Sequence, residues 1–357
     1  MRHQGYRKER LDRGIKVRTE DVYALASLKD MAYAVGPRTL AVAALLVTPL
    51  LEPLLGIYWM KVFLITLVIA LLAVSWDVLA VAGLPSLGQA LFFGVGAYIT
   101  GYLNHRFGWP PALCIPVATL AGALLCTVML IPVLRLRGIY FGLITLALPL
   151  VFSRLIEATK ILGGTEGLSG LDPLPNFKLE LYIAIVAVLV FAFVYRQLME
   201  SDYGAVLHGI NANDRVVLAS GISLTRFKIE AVFLAALPGT FAGTILTHHY
   251  QFVGMPAFAM EYSLLPLASA VVGGTGTLVG PVIGAFILTP LSEVLRAFGT
   301  LRMVVYAILL VVFSVGIPEG LLRYVQRRYY QFERIVPVQE VEWSDGSGAH
   351  LTGPRSA

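Results

Sequence analysis

Charge is what this sequence has least of. Lys, Arg, Asp and Glu make up 14% of the 357 residues, where a soluble domain carries roughly 25%. What charge there is lies largely at the ends. Residues 1–38 hold nine Lys or Arg and residues 323–357 hold five, which leaves 13 basic and 13 acidic side chains for the 284 residues between. A water-facing surface cannot be built from that middle. A soluble enzyme, a nucleic-acid-binding domain and a disordered chain are therefore excluded. Catalytic motifs are missing too. None of the seven lysines is followed by Ser or Thr, so no Walker A loop exists, and no His is followed by Glu. There is no Gly-x-Ser-x-Gly elbow. No catalytic residue, metal site or cofactor is expected, and ATP hydrolysis by this chain alone is excluded. Cysteine is scarce as well. Cys114 and Cys126 lie twelve residues apart in one apolar run, about 18 Å along a helix. That is too far for a disulfide, and core packing is their expected role.

What the sequence does have is apolar length. With 57% hydrophobic residues and a span length of roughly 20 residues, it offers ten candidate spans. They lie near 39–56, 58–82, 85–103, 111–134, 138–157, 180–199, 229–249, 261–274, 277–296 and 303–321. The expected organisation is a basic cytoplasmic segment (1–38), a transmembrane domain (39–322) and a cytoplasmic tail (323–357). Arg2, Arg7, Lys8, Arg10, Arg13, Lys16 and Arg18 precede the first span. They read as a topology determinant and a binder of anionic membrane lipid, not of nucleic acid. The 135–137 turn, the 196–228 loop and the tail are also basic, whereas 250–260 has no Lys or Arg. Basic segments on the inside put both termini in the cytoplasm, which requires an even number of crossings. The 158–179 loop is then external and the 196–228 loop internal.

Irregular residues mark where chemistry is expected. Pro85, Gly88, Gly94, Gly96 and Gly101 interrupt the third span, and Gly273, Gly274 and Gly276 separate the eighth from the ninth. Non-helical backbone at membrane depth is tolerated only where protein or a water-filled cavity satisfies it. These segments are therefore expected to line or border a path, with Ser86, Leu87, Gly88, Gln89, Phe92, Phe93, Gly94, Gly96 and Tyr98 from the first and the three glycines from the second. Gly239/Gly243, Gly138/Gly142 and Gly276/Gly280/Gly284 repeat at i, i+4, a spacing that allows close helix packing in lipid. Asp77 and Glu52 lie inside spans. They are either functional acids or hydrogen-bonded structural ones. His248-His249 reads as an interfacial helix end, since adjacent helical residues diverge too far to share a metal.

Four stretches resemble one family in the same order. Leu84–Tyr98 reads Leu-Pro-Ser-Leu-Gly-Gln-Ala-Leu-Phe-Phe-Gly-Val-Gly-Ala-Tyr. Leu134–Phe141 reads Leu-Arg-Leu-Arg-Gly-Ile-Tyr-Phe. Gly163–Gly170 reads Gly-Gly-Thr-Glu-Gly-Leu-Ser-Gly. Val272–Ala285 carries Gly-Gly-Thr-Gly-Thr and Gly-Pro-Val-Ile-Gly-Ala. Each is similar to a motif of the LivM-type permeases of branched-chain amino-acid ABC importers, and the resemblance covers about 75–325. It implies an all-α membrane protein of about ten transmembrane helices, with the type II importer fold of the vitamin-B12-importer kind. It also implies a second, LivH-type permease, two cytoplasmic ATP-binding subunits and an external substrate-binding protein. The solute implied is leucine, isoleucine, valine or a related amino acid. Urea and amide permeases, and a proton-driven secondary transporter using Asp77 and Glu52, are the alternatives.

Two loops follow from that reading. Gly163, Gly164, Gly167 and Gly170, which permit turns with positive φ, together with Thr165, Glu166 and Ser169, would form an external mouth where the binding protein docks. Residues 201–222 would form a pair of short helices that engages an ATPase. Ser201-Asp202 would cap the first and Asn211 or Asn213 the second, with Gly209 and Gly221 as stops. Gly209, Asn211, Asp214, Arg215, Ala219 and Gly221 are the coupling residues this implies. Ala219 and Gly221 match the family's small positions, but Asn211–Ile222 departs from its usual Asn-Glu-x-Ala-Ala opening.

Overall fold

The structure is a computed structural model. It describes residues 6–10, 28–136, 138–160 and 162–296 continuously. Beyond these it describes 299, 308, 311, 316, 320–330, 333–337, 341–344 and 350–353. The candidate span at 303–321 lies largely outside the described residues.

The chain divides into two units, residues 41–323 and residues 1–40 with 324–357. In the second unit, β1 (Tyr6–Arg10) pairs antiparallel with β4 (Glu333–Pro337), and β5 (Val341–Ser344) pairs with β6 (His350–Gly353). These ribbons have no counterpart in the sequence reading, because alternation over four or five residues is too short to stand out.

The larger unit is built from helices. They are the end of α1 (Leu28–Val47), α2 (Glu52–Val81), α3 (Gln89–Phe107), α4 (Pro111–Leu130), α5 (Ile139–Thr159), α6 (Phe177–Glu200), α7 (Asp202–Ala219), α8 (Leu224–Tyr250), α9 (Glu261–Gly273), α10 (Val279–Leu295) and the start of α11 (Leu321–Tyr330). Among the described residues, six helical stretches are long and apolar enough to cross a membrane. The first, Thr39–Val81, has 43 residues, or about 65 Å of helix at 1.5 Å per residue. That is twice a hydrocarbon core of roughly 30 Å. Gly56, at φ 78° and ψ 158°, breaks it, as the two separate spans at 39–56 and 58–82 require.

Burial is uneven in a way that suits lipid. α2 from Met60 onward is enclosed on nearly all sides, and α8 and α3 pack against it. α4, α5 and α6 present Leu120, Leu124, Leu143, Val151 and Phe193 outward. Close approach of the central helices depends on residues without a side chain. A Cβ on Gly96 would collide with the Thr240 carbonyl of α8, and one on Gly243 with the Phe93 carbonyl of α3.

The connections sort into two ends. At one end Gly83 lies against Asn211, and Asp77 reaches the 274–278 turn. At the other, Asn104 binds Asp172, His249 meets Glu180, and Lys178 pairs with Glu52 at 3.1 Å. There β2 (Leu168–Ser169) pairs with β3 (Phe252–Val253).

Candidate functional site

Among the described residues, α3 and α10 are each preceded by a non-helical segment, and two consecutive residues of α2, Trp76 and Asp77, bond one to each. The first break, residues 82–88, precedes α3. Three of its backbone groups are met by side chains. The Trp76 indole donates to the Ser86 carbonyl at 2.7 Å, and the Leu87 N–H donates to Thr145 Oγ1 of α5 at 3.0 Å. The Gly88 N–H donates to Ser86 Oγ at 3.1 Å. The first turn of α3 is closed by Ser263 of α9, whose hydroxyl accepts the Ala90 N–H at 3.0 Å.

The second break, Gly274–Leu278, precedes α10. Asp77 is wholly buried, and its two oxygens accept the Gly276 N–H at 2.6 Å and the Leu278 N–H at 2.9 Å. The turn needs this support. Gly274, Gly276 and Leu278 all have positive φ, and Leu278 is not a glycine. Arg323 lies beside Gly276, which brings a cation to the same end as the Asp77 carboxylate. Asp77 is thus a structural acid with defined partners. Glu52, the other intramembrane acid, pairs with Lys178 at the opposite end.

Ser75 precedes Trp76 and Asp77 in α2. Its hydroxyl lies 2.5 Å from the Ala235 carbonyl of α8 and 2.8 Å from the Gln89 carboxamide. A hydroxyl donates once. The consistent arrangement turns the Gln89 amide so that its NH2 donates to Ser75 while Ser75 donates to Ala235. In either orientation one end of this fully buried carboxamide has no partner among the described residues.

The expected path residues are therefore brought together, but inside the bundle. Ser86, Gly88, Gln89, Phe92, Phe93, Gly94, Gly96 and Tyr98 are buried, as are Gly273 and Gly274. Leu87 and Gly276 are half-buried, and Pro85 is exposed. Gly94 leaves room for the Phe258 ring, which stacks on Tyr98 at 5.5 Å. Phe93 stacks on Tyr262 at 4.0 Å. Beside it a cavity of about 100 Å³ is lined by Phe93, Ala97, Thr247, Tyr250, Gly254 and Tyr262.

The 162–170 loop lies at the end remote from Asp77. Gly163, Gly164, Gly167 and Gly170 all have positive φ. The Glu166 and Gly167 N–H groups both donate to the Gly163 carbonyl. Thr165, Glu166 and Ser169 are exposed, while Leu168 anchors the loop by pairing with Val253. Asp172 follows, and its main-chain oxygen meets His248 Nδ1 at 2.7 Å. His248 Nε2 lies 3.1 Å from Thr100, and His249 meets Glu180 at 3.0 Å. His248 thus ties the end of this loop to α8 and α3, and His249 ties α8 to α6.

At the opposite end, α7 is two helices joined at Asn213, whose φ of −162° and ψ of 101° interrupt it. The Asn213 side chain accepts the Arg215 N–H at 3.0 Å and so caps the second arm. Two expected details differ. The Ser201 hydroxyl turns back to the Leu198 carbonyl instead of capping the first arm. Gly209 does not end that arm. It faces Val217, where its missing side chain lets the arms close. Gly221, at φ 79°, does end the second arm. Asn211, Arg215, Ala219 and Gly221 are exposed, and Asp214 is half-buried beneath them. Tyr203, on the first arm, packs its ring against Phe227 at 5.4 Å, tilted by 33°. Burial, reinforced by the nearby Glu230 carboxylate, pushes its phenol above the usual range.

These features occur in a sequence with relatives. The family model described as "Branched-chain amino acid transport system / permease component" matches residues 58–314. The chain belongs to this family. It is 29% identical over 276 residues to the high-affinity branched-chain amino-acid transport permease protein LivM of Escherichia coli, a match covering 69% of this chain and 65% of that protein. The probable LivH permease of Methanocaldococcus jannaschii is 27% identical over 60% of this chain and 74% of its own length. The ribose import permease RbsC of Bacillus subtilis is 34% identical over 32% of this chain and 38% of its own. The match spans 65% of the length of the LivM relatives. No solved structure matches the chain. The matched region takes in both breaks, the 162–170 loop and both arms of α7. Sequence reasoning missed Ser75, Trp76, Thr145 and Ser263, because isolated polar residues in apolar runs give no signal of which distant backbone group they meet.

Proposed function

We propose that this permease-family chain is the membrane-spanning subunit of an ATP-driven importer of branched-chain amino acids. The observation that carries the proposal is the family match over 58–314, which includes a two-armed helix lying between two spans. The fold proposed is the ten-helix type II importer fold, with both termini cytoplasmic. Residues 1–38 would face anionic lipid, and 323–357 would form a cytoplasmic tail. A LivH-type permease would complete the path, two ATP-binding subunits would supply hydrolysis, and an external substrate-binding protein would deliver the solute to the 163–170 loop. The names of the LivM and LivH relatives support the solute class.

The Ser86–Tyr98 segment and Gly273–Gly276 would border the path. Gln89 supports this, since an unpartnered buried carboxamide end is available to a polar solute. α7 would be the lever. Its exposed Ala219 and Gly221 leave a surface to which an ATPase can approach closely, and Gly221 has open space around its Cα. Binding of ATP by the partners would move this lever, close the cytoplasmic side and open the other, without chemistry on this chain.

The test is uptake by the reconstituted four-component complex. Leucine should accumulate in proteoliposomes given ATP and binding protein, with a protonophore present. Gly221→Trp should abolish uptake while the complex still assembles. Uptake that needs a proton gradient instead of ATP, or uptake of ribose or urea but not leucine, would refute the proposal.

A further inference from the structure

A buried ion pair joins the lever to the bundle. Lys228 sits in the second turn of α8, and its ammonium donates to Asp214 Oδ2 at 3.3 Å. Asp214 is the first residue after the Asn213 break in α7. The two side chains are only 8% and 14% exposed. Surface ion pairs of this kind contribute little, but a pair withdrawn from water leaves an uncompensated charge when one partner is removed. The other arm of α7 grips the same foot through Tyr203 on Phe227. α8 then runs the length of the bundle. Thr240 packs on α3 and α4, donating to the Thr119 carbonyl or to carbonyls of its own helix, and at the opposite end His248 holds the loop at Asp172 while His249 meets Glu180 of α6.

We propose that Lys228 is a positioning residue whose ion pair with Asp214 fastens α7 to the foot of α8, so that a displacement of α7 is delivered along α8 to the loop at the far end. The inference rests on the transport reading and adds which residue transmits the movement. α8 is suited to the task because its Pro238 and Gly239 are packed against other helices and not free to flex. A Cβ on Gly239 would meet Phe92 at 2.7 Å.

The experiment compares Lys228→Met, the charge-swapped Asp214→Lys/Lys228→Asp and wild type in the reconstituted complex. The readout is leucine transported per ATP hydrolysed, with binding protein saturated. A residue that only stabilised the fold would lower the amount of assembled complex and leave this ratio intact. The expected result is a ratio at least tenfold lower for Lys228→Met and recovered to within about threefold of wild type by the swap. A Lys228→Met ratio equal to wild type overturns the inference. So does a normal ratio in an assembled Asp214→Leu/Lys228→Leu variant, since the tie would then be dispensable. If Lys228→Met fails to assemble, that double variant, which removes both charges of the pair together, decides. Should wild type itself transport no leucine, the transport reading fails and takes this inference with it.

Discussion

Asp77 shows what one residue does when lipid surrounds the protein. Neither Gly276 nor Leu278 has a helical partner for its N–H, and Asp77 accepts both. Removing the acceptor leaves the buried Leu278 donor unmet, a cost of about 1–3 kcal/mol, and takes the partner from the half-buried Gly276 donor as well. Asp77→Ala is therefore expected to lower the melting temperature of the purified subunit in detergent sharply. Asp77→Asn should fall between, because a carboxamide keeps one acceptor oxygen and turns an NH2 toward the second donor. Equal melting temperatures for wild type and Asp77→Ala would show that the turn is held by other means. The sequence placed an acid in a span. That the acid serves backbone groups about 200 residues away depended on which turn the fold brings beside it.

At the scale of an element, α7 shows how a local signal and a tertiary contact share the work. A cap at Asn211 or Asn213 was legible, because Asn favours the residue before a helix, and the fold uses Asn213, whose side chain accepts from the chain two residues on. Asn213→Ala should destabilise the second arm by about 1 kcal/mol. Amide exchange at Arg215–Val217 should then quicken roughly fivefold, measured by mass spectrometry on the detergent-solubilised subunit. Exchange unaltered there would mean that Val217, buried against the first arm, holds the helix without its cap. The expectation for Gly209 failed for a reason of packing. Glycine is a helix stop when its φ turns positive, but it is also the residue that lets two helices touch, and here Val217 occupies the space.

At the largest scale, the 41–323 unit is organised by its two ends. Asn211 and the 274–278 turn gather at one, and Glu166, Asp172 and Glu180 gather at the other. The proposed orientation predicts opposite accessibility. Thr165→Cys and Ser220→Cys each introduce an exposed thiol, and the native Cys114 and Cys126 are buried. In intact spheroplasts a membrane-impermeant maleimide should label Thr165→Cys and leave Ser220→Cys unmodified until the membrane is opened. The reverse pattern would invert the topology and remove α7 from the side where ATP is found.

The sequence by itself determined that this chain lives in a membrane, because 26 charges over 284 residues cannot coat a water-facing surface. It also pointed to the breaks at Pro85, Gly88, Gly274 and Gly276, which act through their own backbone preferences, but not to the continuity of α3, in which Gly94, Gly96 and Gly101 stay helical and admit neighbouring helices instead, and it placed the chain in its family through contiguous motifs. Only the tertiary structure decided what satisfies those breaks. Ser75, Trp76 and Asp77 are ordinary span residues until α8, the segment before α3 and the turn before α10 converge on them. Lys228 is one lysine in a basic loop until Asp214 is folded over it. Hydrogen bonds and ion pairs between distant segments depend on where the helices cross. In lipid those crossings are set by side-chain shape and by glycines that admit a neighbour's backbone, such as Gly96 at Thr240 and Gly284 at Ser269, and not by any pattern within reach of a single sequence window.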